Sequence, residues 1–228
     1  MYAKEMMVTR VAILVDGGFY LKRAKSLLGE VSPEQRAKEL WEYCMAHLDD
    51  KRETRKLYRI FYYDCPPLDK KLHHPLTQRA IDLGKSDTYK WMNAFFDELK
   101  TKCRLALRLG KLVENQVHYG LKAKVLKDLC KGKIKVEDLA EEDFTLDITQ
   151  KGVDMKIGLD IATLAHKKQV DQIVLISGDS DFVPAAKHAR REGIDFILDS
   201  LQAKIRPDLQ EHIDGARTHL RLLKKRDE

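Results

Sequence analysis

Ile173-Val174-Leu175-Ile176-Ser177-Gly178-Asp179-Ser180-Asp181-Phe182 is the stretch that decides the fold class. Four apolar residues, three of them β-branched, predict a buried parallel strand. The strand stops at a Ser-Gly turn, two carboxylates follow at once, and a helix pattern begins near Pro184. In an open α/β sheet, ligands bind beyond the carboxyl ends of the strands. Two acids at such an end repel each other unless a cation or a proton relieves them. The cation that suits them is hard and oxygen-loving, Mg²⁺ or Mn²⁺. Taken alone, the same residues also read as a solvated turn with helix-capping acids.

Other strands end the same way. Val11-Ala12-Ile13-Leu14-Val15 is followed by Asp16-Gly17-Gly18-Phe19, which puts Asp16 at the tip of the first strand. Gly17 and Gly18 are expected to let the backbone turn sharply and a ligand come close. The spacing is not that of a dinucleotide fingerprint, since a third glycine is missing. Tyr58–Tyr63 is a further strand candidate and runs into Asp64 before Cys65-Pro66-Pro67. Asp before a proline-rich turn is also ordinary turn chemistry. A fourth acid comes from a helix. Lys151-Gly152-Val153-Asp154 opens a segment with Ile157, Ile161, Leu164 and Ala165 on one stripe. Asp154 in the first turn suits either the helix dipole or a ligand. Asp160 lies six residues on, about 240° further round at roughly 100° per residue, and ranks lower. Ser177 and Ser180 stand near the acids without an assignable base. They are expected to hydrogen-bond ligands or backbone.

These pieces, in this order, resemble the NYN-domain family, in its bacterial branch related to LabA-like proteins. The matching stretches are VAILVDGGF (Val11–Phe19), FYYDCPPL (Phe61–Leu68), KGVDMKIGLDIATLA (Lys151–Ala165) and IVLISGDSDFVPAAKHARREG (Ile173–Gly193). Where many members carry Asn shortly after the first Asp, this chain reads Gly17-Gly18-Phe19. The resemblance implies a PIN-like, Rossmann-like three-layer α/β fold with a mostly parallel central sheet, and metal-dependent ribonuclease activity. It carries the acidic cluster over to Asp16, Asp154 and Asp179 as metal ligands, with Asp181 completing the catalytic set. Asp64 belongs to a second tier.

With 228 residues and 43% hydrophobic content, the chain is long enough for one α/β domain plus an insertion. A net charge of +6 favours a polyanionic partner. Cys44, Cys65, Cys103 and Cys130 form no C-x-x-C pair and no disulfide framework. No apolar run has membrane-spanning length, and Met1–Arg10 lacks a signal-peptide core, so a reducing cytoplasm is expected. From Lys100 to Lys135 there are eleven Lys or Arg against two acids, Glu114 and Asp128. Lys111, His118, Tyr119, Lys122, Lys124 and Lys151 are the candidate contacts to single-stranded or structured RNA. The alternative is an ordinary basic helix surface. An acidic run, Glu137 to Asp143, follows.

The expected organisation is an NYN domain over 8–215, a basic helical insertion at about 65–150, and a C-terminal amphipathic helix with a basic tail over 209–228. Leu209, Ile213, Ala216, Leu220 and Leu223 carry the helical spacing, and that helix is a candidate homodimer element. Helices are also expected over Phe19–Leu28, from Pro33 to about Leu48, over Asp87–Lys102 and over Pro184–Glu192, and an edge strand over Arg104–Leu109.

Three rivals to the nuclease reading stand at this point. A phosphatase of haloacid-dehalogenase type needs a second Asp two residues after the nucleophile, where this chain has Gly18. A topoisomerase-primase-type domain wants Glu where Asp16 stands. A catalytically silent RNA- or protein-binding regulator could use the same fold.

Overall fold

Val11 to Val15 expose no surface at all, a state open only to a strand covered on both faces and both edges. The computed structural model describes residues 8–51, 53–112, 117–148 and 150–220. In it this run is the middle of strand β1 (Val8–Asp16), paired in parallel with β2 (Thr54–Asp64) and β10 (Gln172–Ile176). β10 pairs with β11 (Asp195–Asp199), β11 with the short β12 (Gly215–Ala216), and β2 with β5 (Leu105–Leu109), all in parallel. The sheet order is β12-β11-β10-β1-β2-β5. Chain order runs outward in opposite directions from β1 and β10, so these two strands form the topological switch point. A ligand crevice is expected at their carboxyl ends.

Alternation along the strands divides the core in two. Ala12, Leu14, Phe61, Tyr63, Ile173, Leu175, Phe196 and Leu198 share one core with helices α5 (Val153–His166) and α6 (Val183–Arg191). The intervening residues face the other way. There Tyr62 meets Phe95 and Phe96 of α3 (Asp87–Thr101) edge-on, with centroids 5.6 and 6.3 Å apart. Helix α1 (Gly17–Leu28) closes on the ring of Tyr62. Helix α2 (Pro33–Ala46) reaches the end of β11 through Tyr43. These are the helix-covered faces that near-continuous apolar strands require.

The chain divides into two compact units. One comprises Met1–Asp64, Ala94–Gly110 and Gly152–Glu228; the other comprises Cys65–Asn93 and Lys111–Lys151. This corrects the insertion expected at about 65–150. Residues 94–110 belong with the sheet because β5 pairs with β2 and α3 packs under Tyr62. Nor is the second unit purely helical. Among its described residues are three antiparallel ribbons, β3 (Lys71–His73) with β4 (Ala80–Asp82), β6 (Lys111–Leu112) with β9 (Gln150–Lys151), and β7 (His118–Leu121) with β8 (Phe144–Asp147), besides α4 (Ala123–Cys130). Its aromatic centre is His74, 4% exposed, edge-on to Tyr119 and Phe144 at 5.0 and 5.1 Å.

The helix expected over 209–228 is also corrected, for residues 209–219. After a single turn, α7 (Pro207–Gln210), the chain extends into β12. Asp214 fixes this, its carboxylate accepting from Phe196 N–H and from Arg190 Nε, both at 2.8 Å. Leu209, Ile213 and Leu220 are buried as their spacing demanded, but β12 separates Ile213 from Leu220, so no single helix face carries all three. Glu114, Leu223 and the basic run Arg221–Arg226 lie outside the described residues. Among the described residues no helix is long and apolar enough to cross a membrane.

Candidate active site

Asp16 closes β1 and caps α1. Its Oδ1 accepts from Phe19 N–H at 3.1 Å and its Oδ2 from the Ser177 hydroxyl at 3.0 Å. Gly17 is already helical, which corrects its expected role as an opening for ligand. A Cβ there would lie 2.6 Å from the Tyr62 ring and from the Tyr63 carbonyl, so the glycine serves the close packing of α1 on β2.

Ser177, fully buried just beyond β10, joins two of the predicted acids. Its Oγ donates to Asp16 and accepts from Asp179 N–H at 3.3 Å. Asp179 in turn caps a 3-10 turn over Ser180–Phe182, its Oδ1 accepting from Asp181 N–H at 3.0 Å. Asp154 stands in the first turn of α5, introduced by Gly152 at φ 84°. Asp154, Asp179 and Asp181 are exposed and Asp16 is half-buried.

The charges lie close enough to be felt. Burial raises the Asp16 carboxyl above the ordinary carboxylate range; Phe19 N–H and Ser177 pull it back, and the charges of Asp154 and Asp179 add to the rise. Asp154, though its side chain is exposed, is raised by partial desolvation and then by the charges of Asp179 and Asp181. The two strand ends and the helix therefore present like charges to one another. Among the described residues no three His, Cys, Asp or Glu side chains stand as a ready-made metal-holding group. The donor chemistry nonetheless fits a divalent ion: every donor is a carboxylate oxygen, and the mutual repulsion is of the kind that a hard cation relieves.

A depression of about 390 Å³ opens at this edge, lined by Asp16, Asp179 and Ser180 together with Phe19, Gly178, Ala203 and Arg206. The last four were missed by sequence reasoning. Phe19 directly follows the glycine pair, and Gly178 is forced by it, since a Cβ there would meet the Phe19 ring at 2.6 Å. Ala203 and Arg206 come from the loop after β11, which has no motif of its own.

The second-tier acids go elsewhere. Asp64 is buried, with Tyr62 OH donating to it at 3.1 Å. Asp160 accepts from Tyr63 OH at 2.8 Å and pairs with Arg108 at 3.2 Å, a contact that holds α5 to β5. The basic stretch is divided between the units. Lys100, Lys102 and Lys133 are tied to Asp97, Glu98 and Asp128. Lys111, Lys122, Lys124 and Lys151 are exposed in the second unit, and so is His118, whereas Tyr119 packs on His74. The acidic run mostly serves its own turns: Asp138 and Asp143 accept from Lys135 and Ala140 N–H, and Glu141 pairs with Arg79.

The NYN domain model matches residues 92–216, more than half of the chain. Asp154, Asp179 and Asp181 lie within the match, and Asp16 precedes it. No curated protein matches the chain significantly. Among solved structures, a protein of unknown function from Vibrio parahaemolyticus is similar at 13% identity and a TM-score of 0.48, over 95% of this chain and 94% of that one.

Proposed function

The chain belongs to the NYN domain family, a nuclease-type family, and from that premise we propose that it is a metal-dependent ribonuclease. The observation that carries the reading is the meeting of like charges at the switch point. Asp16 from the end of β1 and Asp154 from the start of α5 both have raised carboxyls, and the charges of Asp179 and Asp181 beyond β10 contribute to the rise. Such a cluster destabilises the fold unless it serves something positive.

In this reading Asp16, Asp154 and Asp179 would hold Mg²⁺ or Mn²⁺, and Asp181 would complete the set or orient a water. Bound there, the ion would supply a water of lowered pKa and neutralise charge on the scissile phosphate. The chain's own contribution is preorganisation. Phe19 N–H and Ser177 fix both oxygens of Asp16, and Ser177 also braces the backbone of Asp179. Ser177 is committed to these contacts, which removes it as a nucleophile.

The acids as they stand form no ready-made metal-holding group among the described residues, and this favours a second reading, a catalytically silent binder of RNA or protein. One experiment separates the two. Single-stranded and structured RNAs are incubated with the protein and Mg²⁺ or Mn²⁺, alongside Asp179→Asn and EDTA controls. Cleavage that disappears in both controls supports the nuclease. RNA bound tightly in EDTA and left intact in every ion supports the binder.

A further inference from the structure

Between β11 and α7 the chain makes a turn that ordinary residues resist. Leu201 and Gln202 both have left-handed backbones, at φ 45° and 62°. A residue with a Cβ is strained there, and a consecutive pair persists only where the surroundings impose it. Here they do. Leu201 N–H donates to Asp199 Oδ1 at 2.8 Å, and Leu201 O accepts from Arg23 Nη2 at 2.8 Å. The Ser200 hydroxyl donates to Ala203 O at 2.8 Å, and the Leu201 side chain is 1% exposed. The loop is thus held in a strained shape by contacts behind it, and its far side carries Ala203 and Arg206 into the wall of the acidic depression.

Arg206 is the one cation among the described residues lining that depression. Its side chain is 67% exposed, with Asp208 Oδ2 accepting from Nη2 at 3.2 Å. A guanidinium has five donors in a rigid fork, so this single bond leaves capacity for an anion. A polyanionic substrate approaching Asp16 and Asp179 is repelled until something fixes its backbone, and a guanidinium does so with a phosphate in bidentate fashion.

We propose that Arg206 binds an RNA backbone phosphate beside the acidic cluster and thereby sets where the strand lies relative to the carboxylates. This deepens the nuclease reading and rests on it. The strain at Leu201 and Gln202 is then the cost of holding that guanidinium at the site.

The test uses the full chain. A labelled single-stranded RNA is titrated in EDTA against Asp179→Asn, Asp179→Asn with Arg206→Ala, and Asp179→Asn with Arg206→Lys, across a range of KCl concentrations. Loss of one phosphate contact is expected to weaken binding roughly tenfold and to lower the slope of log affinity on log salt by about one. Arg206→Lys should restore the slope and only part of the affinity. In otherwise wild-type protein, Arg206→Ala should raise KM and, because the strand is misplaced, lower kcat as well, and an unchanged melting temperature excludes misfolding. Equal affinity and equal slope with and without Arg206 overturn the proposal while leaving cleavage, and hence the nuclease reading, intact. A wild-type protein that neither binds nor cuts RNA overturns both. RNA that is bound through Arg206 but never cut sustains the contact and sinks the nuclease.

Discussion

Asp16 and Asp199 end the two strands that flank β10, and they have opposite surroundings. Asp199 is completely buried and ringed by donors: the Tyr43 hydroxyl, His47 Nε2 at 3.0 Å and Leu201 N–H at 2.8 Å. Asp16 has two donors, but its neighbours Asp154 and Asp179 carry its own charge. A carboxylate surrounded by donors holds a fold together. One surrounded by carboxylates is a liability until a cation arrives. The same residue type, at the same position on adjacent-but-one strands, is therefore structural in one place and available for chemistry in the other.

The largest effect expected from this contrast is on rate. Asp179→Asn should cut RNA cleavage by two orders of magnitude or more, about 3 kcal/mol of barrier. It should leave the melting temperature unchanged or slightly higher, because a repelling charge is gone. Asp199→Ala should do the reverse. It strands the donors of Tyr43, His47 and Leu201 in a buried space, and should cost about 3 kcal/mol in urea denaturation. The folded fraction keeps its acids, so specific activity corrected for folding should fall far less than in Asp179→Asn. Two variants that lost rate and stability in equal proportion would erase the distinction.

The next test concerns what the acidic cluster costs. The carboxyls of Asp16 and Asp154 are raised in the folded state, burial first and like charges second. For a raised acid, the stabilising contribution is complete below the unfolded pKa of about 4 and is lost as pH rises through the folded value. The metal-free protein should therefore lose thermal stability over that window, and Asp16→Asn should blunt the loss. A divalent ion should return stability at neutral pH, about 2.7 kcal/mol at a concentration one hundred times its Kd, and should do nothing near pH 4. Scanning calorimetry with and without Mn²⁺ at both pH values checks the sign. Stabilisation that survives protonation would mean that the ion binds elsewhere.

The contrast also marks what the sequence could reveal. Strands β1 and β10 were legible because uninterrupted apolar runs have few other uses, and β2 because of its β-branched and aromatic residues. The acids at their ends were legible because a strand tip is a fixed position. Asp199 also ends an apolar run, but its burial depends on Tyr43 and His47, more than 150 residues away, and no local pattern encodes that. The stretch from Leu209 to Leu220 has helical spacing, yet a free sheet edge and the Asp214 contacts made a strand the better partner. Gly17 looked like room for a ligand and proved to be room for Tyr62. Arg206 reaches the site only through a loop whose shape is imposed by tertiary contacts.

The smallest expected effect gives the finest resolution. Ser177 stands between the two kinds of acid, buried like Asp199 yet bonded to Asp16. Its hydroxyl favours the ionised form of Asp16, so Ser177→Ala should raise the Asp16 carboxyl further. The hydrogen bond is worth about 1 kcal/mol, a modest loss of stability at neutral pH that should vanish in acid. The kinetic consequence is more telling. If ionised Asp16 is required for cleavage, the acid limb of the pH profile of kcat/KM should move to higher pH in Ser177→Ala, with the plateau reduced only several-fold. A limb that stays in place while stability drops would show that Asp16 is a capping residue whose charge is not used. It would then belong with Asp199, and the metal-holding role would pass to Asp154 and Asp179.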